Sequence, residues 1–147
     1  MANFPHRLAF LPLLRGEGIE IGALHEPSAV GEGARVHYVD ARSKDDSARL
    51  FPELPYDSLV APEKIVDLDA GGLKQYAPAS MDFVIASHVL EHVANPVFAI
   101  EQIFSVLRPQ GYALIAIPDK RFTYDRHRAT TTFERLWEDY LELRDFL

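Results

Sequence analysis

Several short apolar stretches of this chain end in residues that can bind or react. EIGALHEPS (20–28) places Gly22 two residues after Glu20, and a glycine there lets the backbone turn sharply and approach a ligand that a Cβ would push away. RVHYVD ends in Asp40, about twenty residues after Glu20, where a carboxylate can accept hydrogen bonds from both hydroxyls of a ribose. KIVDLD ends in Asp67, Leu68 and Asp69, and one of these carboxylates can accept a hydrogen bond from an exocyclic amine. A sharp turn, a diol-binding carboxylate and an amine-binding carboxylate together describe a nucleoside site. Taken singly, each acidic residue can equally be a turn former.

Ser87 and His88 follow the next such stretch, DFVIA. Histidine is the side chain best matched to taking a proton near neutral pH, so His88, His92, Asp119 and Lys120 are the candidate bases, with His88 favoured. Asp119 and Lys120 can instead form an ion pair with each other. HVLEH (88–92) also fits the HxxEH pattern, in which two histidines bind zinc and the glutamate serves as base. No third ligand is marked, and no metal site is expected. Finally, DKRFTYDRHR (119–128) concentrates Lys120, Arg121, Arg126, His127 and Arg128, as a solvated loop or as a contact for an anionic substrate.

In open α/β sheets ligands bind beyond the carboxyl ends of the strands, so the elements that must position these residues are parallel strands. Five runs qualify: GIEIGA (18–23), RVHYV (35–39), KIVDL (64–68), DFVIA (82–86) and YALIAI (112–117). Several are continuously apolar, as a strand covered on both faces requires. Between the fourth and fifth runs Asn95 can cap a helix with Pro96 in its first turn. Val97, Ile100, Ile103, Phe104 and Leu107 recur along it at helical spacing, before Pro109 and Gly111 stop it. Strand, helix and strand make a right-handed βαβ unit. A shorter helix is expected from Ser43, with Asp46 in its first turn, before Pro52. Near the end, Thr131 and Glu134 offer a capping box, and Phe133, Leu136, Trp137, Tyr140 and Leu141 form an apolar stripe expected to pack on the core.

With 147 residues, 48% of them hydrophobic and 25% charged, the chain is expected to form a single domain over 1–147. A net charge of −7 argues against coating nucleic acid, whose affinity comes from Lys and Arg on phosphates. No apolar run approaches the roughly eighteen residues of a membrane span, and NFPHRLAFLPLLRG (3–16) is broken by proline and arginine. The expected compartment is the cytoplasm. Without cysteine there is neither a disulfide framework nor a thiolate nucleophile.

Residues 17–125, and above all SMDFVIASHVLEHVANPVFAIEQIFSVLRPQGYALIAIPDKRF (80–122), resemble the class I S-adenosylmethionine-dependent methyltransferases with a methyltransferase type 11 domain. The resemblance implies an α/β, Rossmann-like three-layer sandwich with a mostly parallel sheet of order 3-2-1-4-5, here without the usual closing strands. It implies S-adenosylmethionine as cofactor, held by Glu20, Gly22 and Ala23 at the first strand, Asp40 at the second, Asp67 and Leu68 beside the adenine, and Ser87 and His88 at the methionine end. Two local roles compete with these: Glu20 orienting the first loop, and Ser87 capping a short helix. The family's glycine-rich motif has further glycines where this chain has Leu24 and Glu26. Pro27, Gly31 and Gly33 leave little room for the helix that usually follows the first strand. The expected function is methyl transfer to a small molecule, with a sugar or cell-envelope precursor suggested by association. The alternative is a degenerate, non-catalytic domain that binds partners. A homo-oligomer or a partner domain can complete the sheet. A nicotinamide dehydrogenase is disfavoured, because no GxGxxG follows the first strand.

Overall fold

The computed structural model describes residues 9–144, so the first part of NFPHRLAFLPLLRG lies outside the described residues. Five strands, β1 (Glu17–Ile21), β2 (Arg35–Asp40), β3 (Lys64–Ile65), β4 (Met81–Ser87) and β5 (Leu107–Ala116), form one sheet in the order β3-β2-β1-β4-β5. Every pairing is parallel. The expected α/β class and strand order are what the chain adopts. Among the described residues three α-helices accompany the sheet: α1 (Lys44–Leu50), α2 (Pro96–Val106) and α3 (Phe133–Arg144). Among the described residues no helix is long and apolar enough to cross a membrane.

The helix starts follow from local chemistry. The Ser43 hydroxyl accepts from the Asp46 amide at 3.1 Å and donates to the Asp46 carboxylate at 2.6 Å, which satisfies an otherwise orphaned N–H of α1. Asn95 does the same for α2, its Oδ1 accepting from Phe98 N at 2.9 Å, with Pro96 at the first helical position. Along α2 the buried residues Phe98, Ala99, Gln102, Ile103 and Val106 recur at helical spacing and cover one face of the sheet. There Ala99, Ile103 and Val106 join Ile19, Ile21, Val39, Val84 and Ala86 in the larger core. The opposite face carries Phe83 and Ile85, covered by Leu14, Val30 and Ala34 from the N-terminal segment and the β1–β2 connection. Gly18 belongs to this arrangement, since a Cβ there would stand 2.3–2.4 Å from the Phe83 ring on the neighbouring strand.

Four expectations about boundaries and packing are corrected. β3 is only two residues long; one more bond runs from Val66 N to Asp40 O, and the chain then folds back with Gly72 N on Asp67 O. β5 begins at Leu107 directly after α2, so Pro109 and Gly111 do not stop the helix, which ends at Val106. They lie in a bulge where the register jumps from Met81↔Leu107 to Phe83↔Tyr112 and Gln110 takes φ +70°. The apolar stripe of α3 is mostly not core. Tyr140 is buried, its hydroxyl on Glu101 of α2 at 3.0 Å, whereas Phe133 is 70% and Trp137 44% exposed. The cap of α3 is Thr132, not Thr131: its hydroxyl accepts from Arg135 N at 3.3 Å.

At the start of the strands sits a charged clasp. His37 is buried on β2, with Nε2 2.7 Å from Glu17 and Nδ1 2.7 Å from Glu63, so both ring nitrogens donate to carboxylates only when the imidazole is protonated. Burial draws the His37 pKa down, but the bonds to Glu63 and Glu17 outweigh it and leave the value above its ordinary 6.5. The bond to His37 holds Glu17 below its ordinary 4.5. The raised group stabilises the fold fully below pH 6.5 and loses that contribution as pH rises through its folded value. The depressed group loses its contribution as pH falls below 4.5. Thermal unfolding of the chain should therefore show a melting temperature that declines as pH is raised from about 6 to 9. His37→Gln should flatten that decline and lower stability near pH 6 by about 1–2 kcal/mol. A wild-type decline that survives the substitution would locate the titration elsewhere.

Candidate functional site

The carboxyl ends of β1, β2 and β4 meet at two clefts that share Ile21, Gly22, Leu24 and His88. The larger, about 470 Å³, runs from Gly22 past Asp40 to Asp67 and Leu68; the smaller, about 130 Å³, lies beside Glu20, Ala23 and Ser87. Glu20, Gly22, Ala23, Asp40, Asp67, Leu68, Ser87 and His88 are thus brought to one contiguous surface.

At β1, Gly22 takes φ +70°, donates its N–H to Val39 O at 2.9 Å, and leaves an open cradle where a Cβ would press Val89 at 3.3 Å. Leu24 adopts φ +48°, a conformation that glycine takes without cost, and its carbonyl accepts from Val60 N at 2.7 Å. No helix follows before β2; the connection is turns and loop, in keeping with the little room left by Pro27, Gly31 and Gly33. Glu20 is buried and both its oxygens accept from Ser28 N, at 2.9 and 3.1 Å, so it does orient this loop while also lining the smaller cleft. Burial, then the Glu20 carboxylate, raise the pKa of the nearby Tyr38 hydroxyl.

At β2, Asp40 accepts from Arg42 N at 3.0 Å through Oδ1, which fixes the carboxylate at the strand end. Beyond β3 the two aspartates that the sequence leaves open both line the larger cleft but are bonded differently. Asp69 spends both oxygens on the backbone ahead of α2, on Ala94 N at 2.9 Å and Asn95 N at 3.0 Å. Asp67 is exposed, and its Oδ1 accepts from Asp69 N at 2.9 Å. Leu68 is buried and its carbonyl is held by Gln102 Nε2 at 2.6 Å, so the floor of this end is anchored to α2.

At β4, His88 has φ +56°, a left-handed conformation uncommon outside glycine, and donates its N–H to Ala116 O of β5 at 2.9 Å. Its Nδ1 lies 3.3 Å from Glu91. His92 stands 4.0 Å from the same oxygen and is 76% exposed. The two histidines do not share a helical face, because only Leu90–His92 forms a short 3₁₀ turn and His88 lies outside it. Among the described residues no three metal-binding side chains cluster.

The other candidate bases are engaged. Asp119 pairs with Arg121, not Lys120, its Oδ1 and Oδ2 both 3.0 Å from Arg121 Nε, and that guanidinium holds the carboxyl below its ordinary pKa. Lys120 Nζ donates to the Arg128 carbonyl. Arg128 pairs with Asp125 at 3.0 Å, so most of the basic stretch is a solvated, internally paired loop that lines neither cleft. Sequence reasoning did not single out Arg42, Phe51 or Val89 as cleft residues. Their types carry no such signal; only the return of the chain past Asp40 and of the β4–α2 connection past Gly22 brings them in.

A family model described as a methyltransferase domain matches residues 7–145. Among solved structures, the chain resembles a SAM-dependent methyltransferase from Archaeoglobus fulgidus, with TM-score 0.58 and 15% identity, covering 95% of this chain and 66% of that one. It also resembles a SAM-dependent methyltransferase from Aquifex aeolicus, with TM-score 0.53 and 16% identity over 97% of this chain and 78% of that one. A third is Haemonchus contortus phosphoethanolamine N-methyltransferase 2 in complex with S-adenosyl-L-methionine, with TM-score 0.52 and 18% identity over 95% of this chain but 36% of that one. At such identities these likenesses show the fold. No curated protein sequence matches the chain significantly.

The two aspartates beyond β3 should separate in experiment. Asp69→Ala leaves two backbone N–H groups without their partner and should lower stability by about 1–3 kcal/mol in urea denaturation. Asp67→Ala should stay within about 0.5 kcal/mol of wild type. Equal losses would mean that Asp67 carries structure as well.

Proposed function

The chain belongs to the methyltransferase-domain family, and from that premise we propose that it binds S-adenosylmethionine in the paired clefts and methylates a small-molecule acceptor. The observation that carries this reading is the convergence of Gly22, Asp40, Asp67, Leu68 and His88 on one surface at the carboxyl ends of parallel strands.

The donor set fits the cofactor. A carboxylate at Asp40 suits a ribose diol, Asp67 suits an exocyclic amine, and Val66, Leu68 and Phe51 supply the apolar lining that an adenine requires. The cradle at Gly22 would be narrowed by any side chain. When bound, the cofactor supplies an electrophilic methyl group on a sulfonium. The chain's part is to hold that methyl in line with the acceptor and keep competing water away. His88, where the clefts join, is the residue we assign to taking a proton from the acceptor. A sugar or cell-envelope precursor remains the acceptor class we favour. A second reading, a domain that binds partners without transferring methyl groups, draws support from Leu24 and Glu26 in place of glycines and from the exposed aromatic face of α3.

Isothermal titration of the purified chain should give micromolar affinity for S-adenosylmethionine and S-adenosylhomocysteine, and none for NAD. Asp40→Ala should weaken that affinity by about tenfold or more without altering the melting temperature by more than a few degrees, because it removes a hydrogen-bonding anchor and no core volume. Wild type without affinity for either ligand would favour the partner-binding reading.

A further inference from the structure

We propose that Gln102 of α2 is a positioning residue that sets the preference of the larger cleft for a base carrying an exocyclic amine, acting through the Asp67 carboxylate; this rests on the cofactor reading above. Gln102 is the polar exception on the buried face of its helix, 3% exposed among Phe98, Ala99, Ile103 and Val106. A buried amide is tolerated where its hydrogen bonds are made, and these go chiefly to the loop that follows β3. Nε2 donates to Leu68 O at 2.6 Å and, more weakly, to Phe98 O of its own helix at 3.4 Å, while Oε1 accepts from Leu73 N at 3.2 Å. A donor nitrogen facing carbonyls and an acceptor oxygen facing an N–H admit one orientation of the amide. Gln102 therefore grips both ends of the Leu68–Leu73 turn.

The route from Gln102 to the cleft is a single peptide group. The carbonyl that Gln102 holds belongs to the Leu68–Asp69 peptide, and the N–H of that same peptide donates to Asp67 Oδ1 at 2.9 Å. Because the peptide is planar, fixing its carbonyl fixes the direction of its N–H, and with it one oxygen of the Asp67 carboxylate. The Asp67 backbone is held by the same turn, its carbonyl accepting from Gly72 N at 2.7 Å. Asp67 lines the larger cleft, whereas Gln102 lines neither, so its effect on a ligand is indirect. An exposed aspartate without such a hold has its rotamer freedom to lose when a ligand binds. A carboxylate held in place distinguishes a base that offers an N–H from one that does not, because the penalty for the missing donor falls on an acceptor that cannot turn away.

Two measurements test this. In the ligand-free chain, the three-bond couplings of the Asp67 Hβ protons should report one rotamer in wild type and averaging in Gln102→Met, a substitution that keeps side-chain length and removes both loop bonds. In isothermal titration, wild type should bind S-adenosylhomocysteine about tenfold more tightly than its deamino analogue, in which hydrogen replaces the exocyclic amine. Gln102→Met should bring that ratio within about threefold by weakening mainly the parent ligand. Asp67→Ala should do the same, and the two substitutions combined should do no more than either alone. A merely structural Gln102 would weaken both ligands by one factor and leave the ratio intact, and that result overturns the proposal. So does an Asp67 side chain averaged in wild type, or one equally ordered in Gln102→Met. If the amide spectrum shows Gln102→Met unfolded, Gln102→Leu takes its place in both measurements. Wild type that binds neither ligand removes the cofactor reading, while loss of Asp67 order in the variant still upholds the link from Gln102 to Asp67.

Discussion

Everything in the site depends on β1 lying between β2 and β4 with all strands running the same way. That arrangement brings the ends of three strands far apart in sequence to one pole, so that Gly22, Asp40 and His88 meet without any of them being near the others in the chain. It is enforced by burial. Ile19, Ile21, Val84 and Ala86 lie under α2 on one side, with Phe83 and Ile85 on the other, so a slip of one residue would expose an entire face of either strand. The crossover through α2 then requires β5 to run parallel to β4.

The β1–β2 connection shows how a chain can keep this pole while losing the usual helix after its first strand. Glu20 clamps the loop through Ser28, Gly31 N bonds to Leu14 O, and Leu24 accepts a left-handed backbone where glycine would be unstrained. A left-handed leucine costs on the order of 1 kcal/mol or more and persists only if its surroundings hold it. Here the bond from Val60 N to its carbonyl does so, tying the loop to the segment that leads into β3. The loop thus serves as a covering layer for Phe83 and Ile85 as well as one wall of the clefts.

Much of this was legible in the sequence because it is written in local chemistry. Ser43 and Asn95 announce helix starts, the apolar runs announce buried strands, and the polar residues at their ends mark positions that line the two clefts. What was not legible depends on distant partners. Asp67 and Asp69 are the same residue type two positions apart, and only the Ala94 and Asn95 amides, some 25 residues away, distinguish the one spent on the backbone ahead of α2 from the other. The α3 stripe reads as core by periodicity, yet a stripe is buried only where something lies opposite, and in this fold α2 meets little beyond Tyr140. Pro109 and Gly111 read as helix stops, but a proline and a glycine are equally the residues that a bulge in an edge strand tolerates.

The division of charge between the two ends of the sheet follows from the same topology. At the strand starts, carboxylates are consumed by structure: Glu17 by His37, and Asp82 by Arg108 at 2.7 Å and by the Glu17 amide at 2.8 Å. At the strand ends, Asp40 is fixed through one oxygen by the Arg42 amide, while Asp67 is fixed through one by Asp69. Each of those bonds costs the carboxylate only part of its accepting capacity, because an ionised carboxylate offers about four lone-pair sites. A ligand of the kind we propose, rich in hydroxyl and amine donors, would meet acceptors already oriented by the backbone, and its binding would not have to order them. The ion pairs of Glu17 and Asp82 thus lie at the opposite end of the strands from Asp40 and Asp67, the carboxylates we propose to face a ligand, while Glu20 and Asp69 at this same pole are spent on holding the backbone.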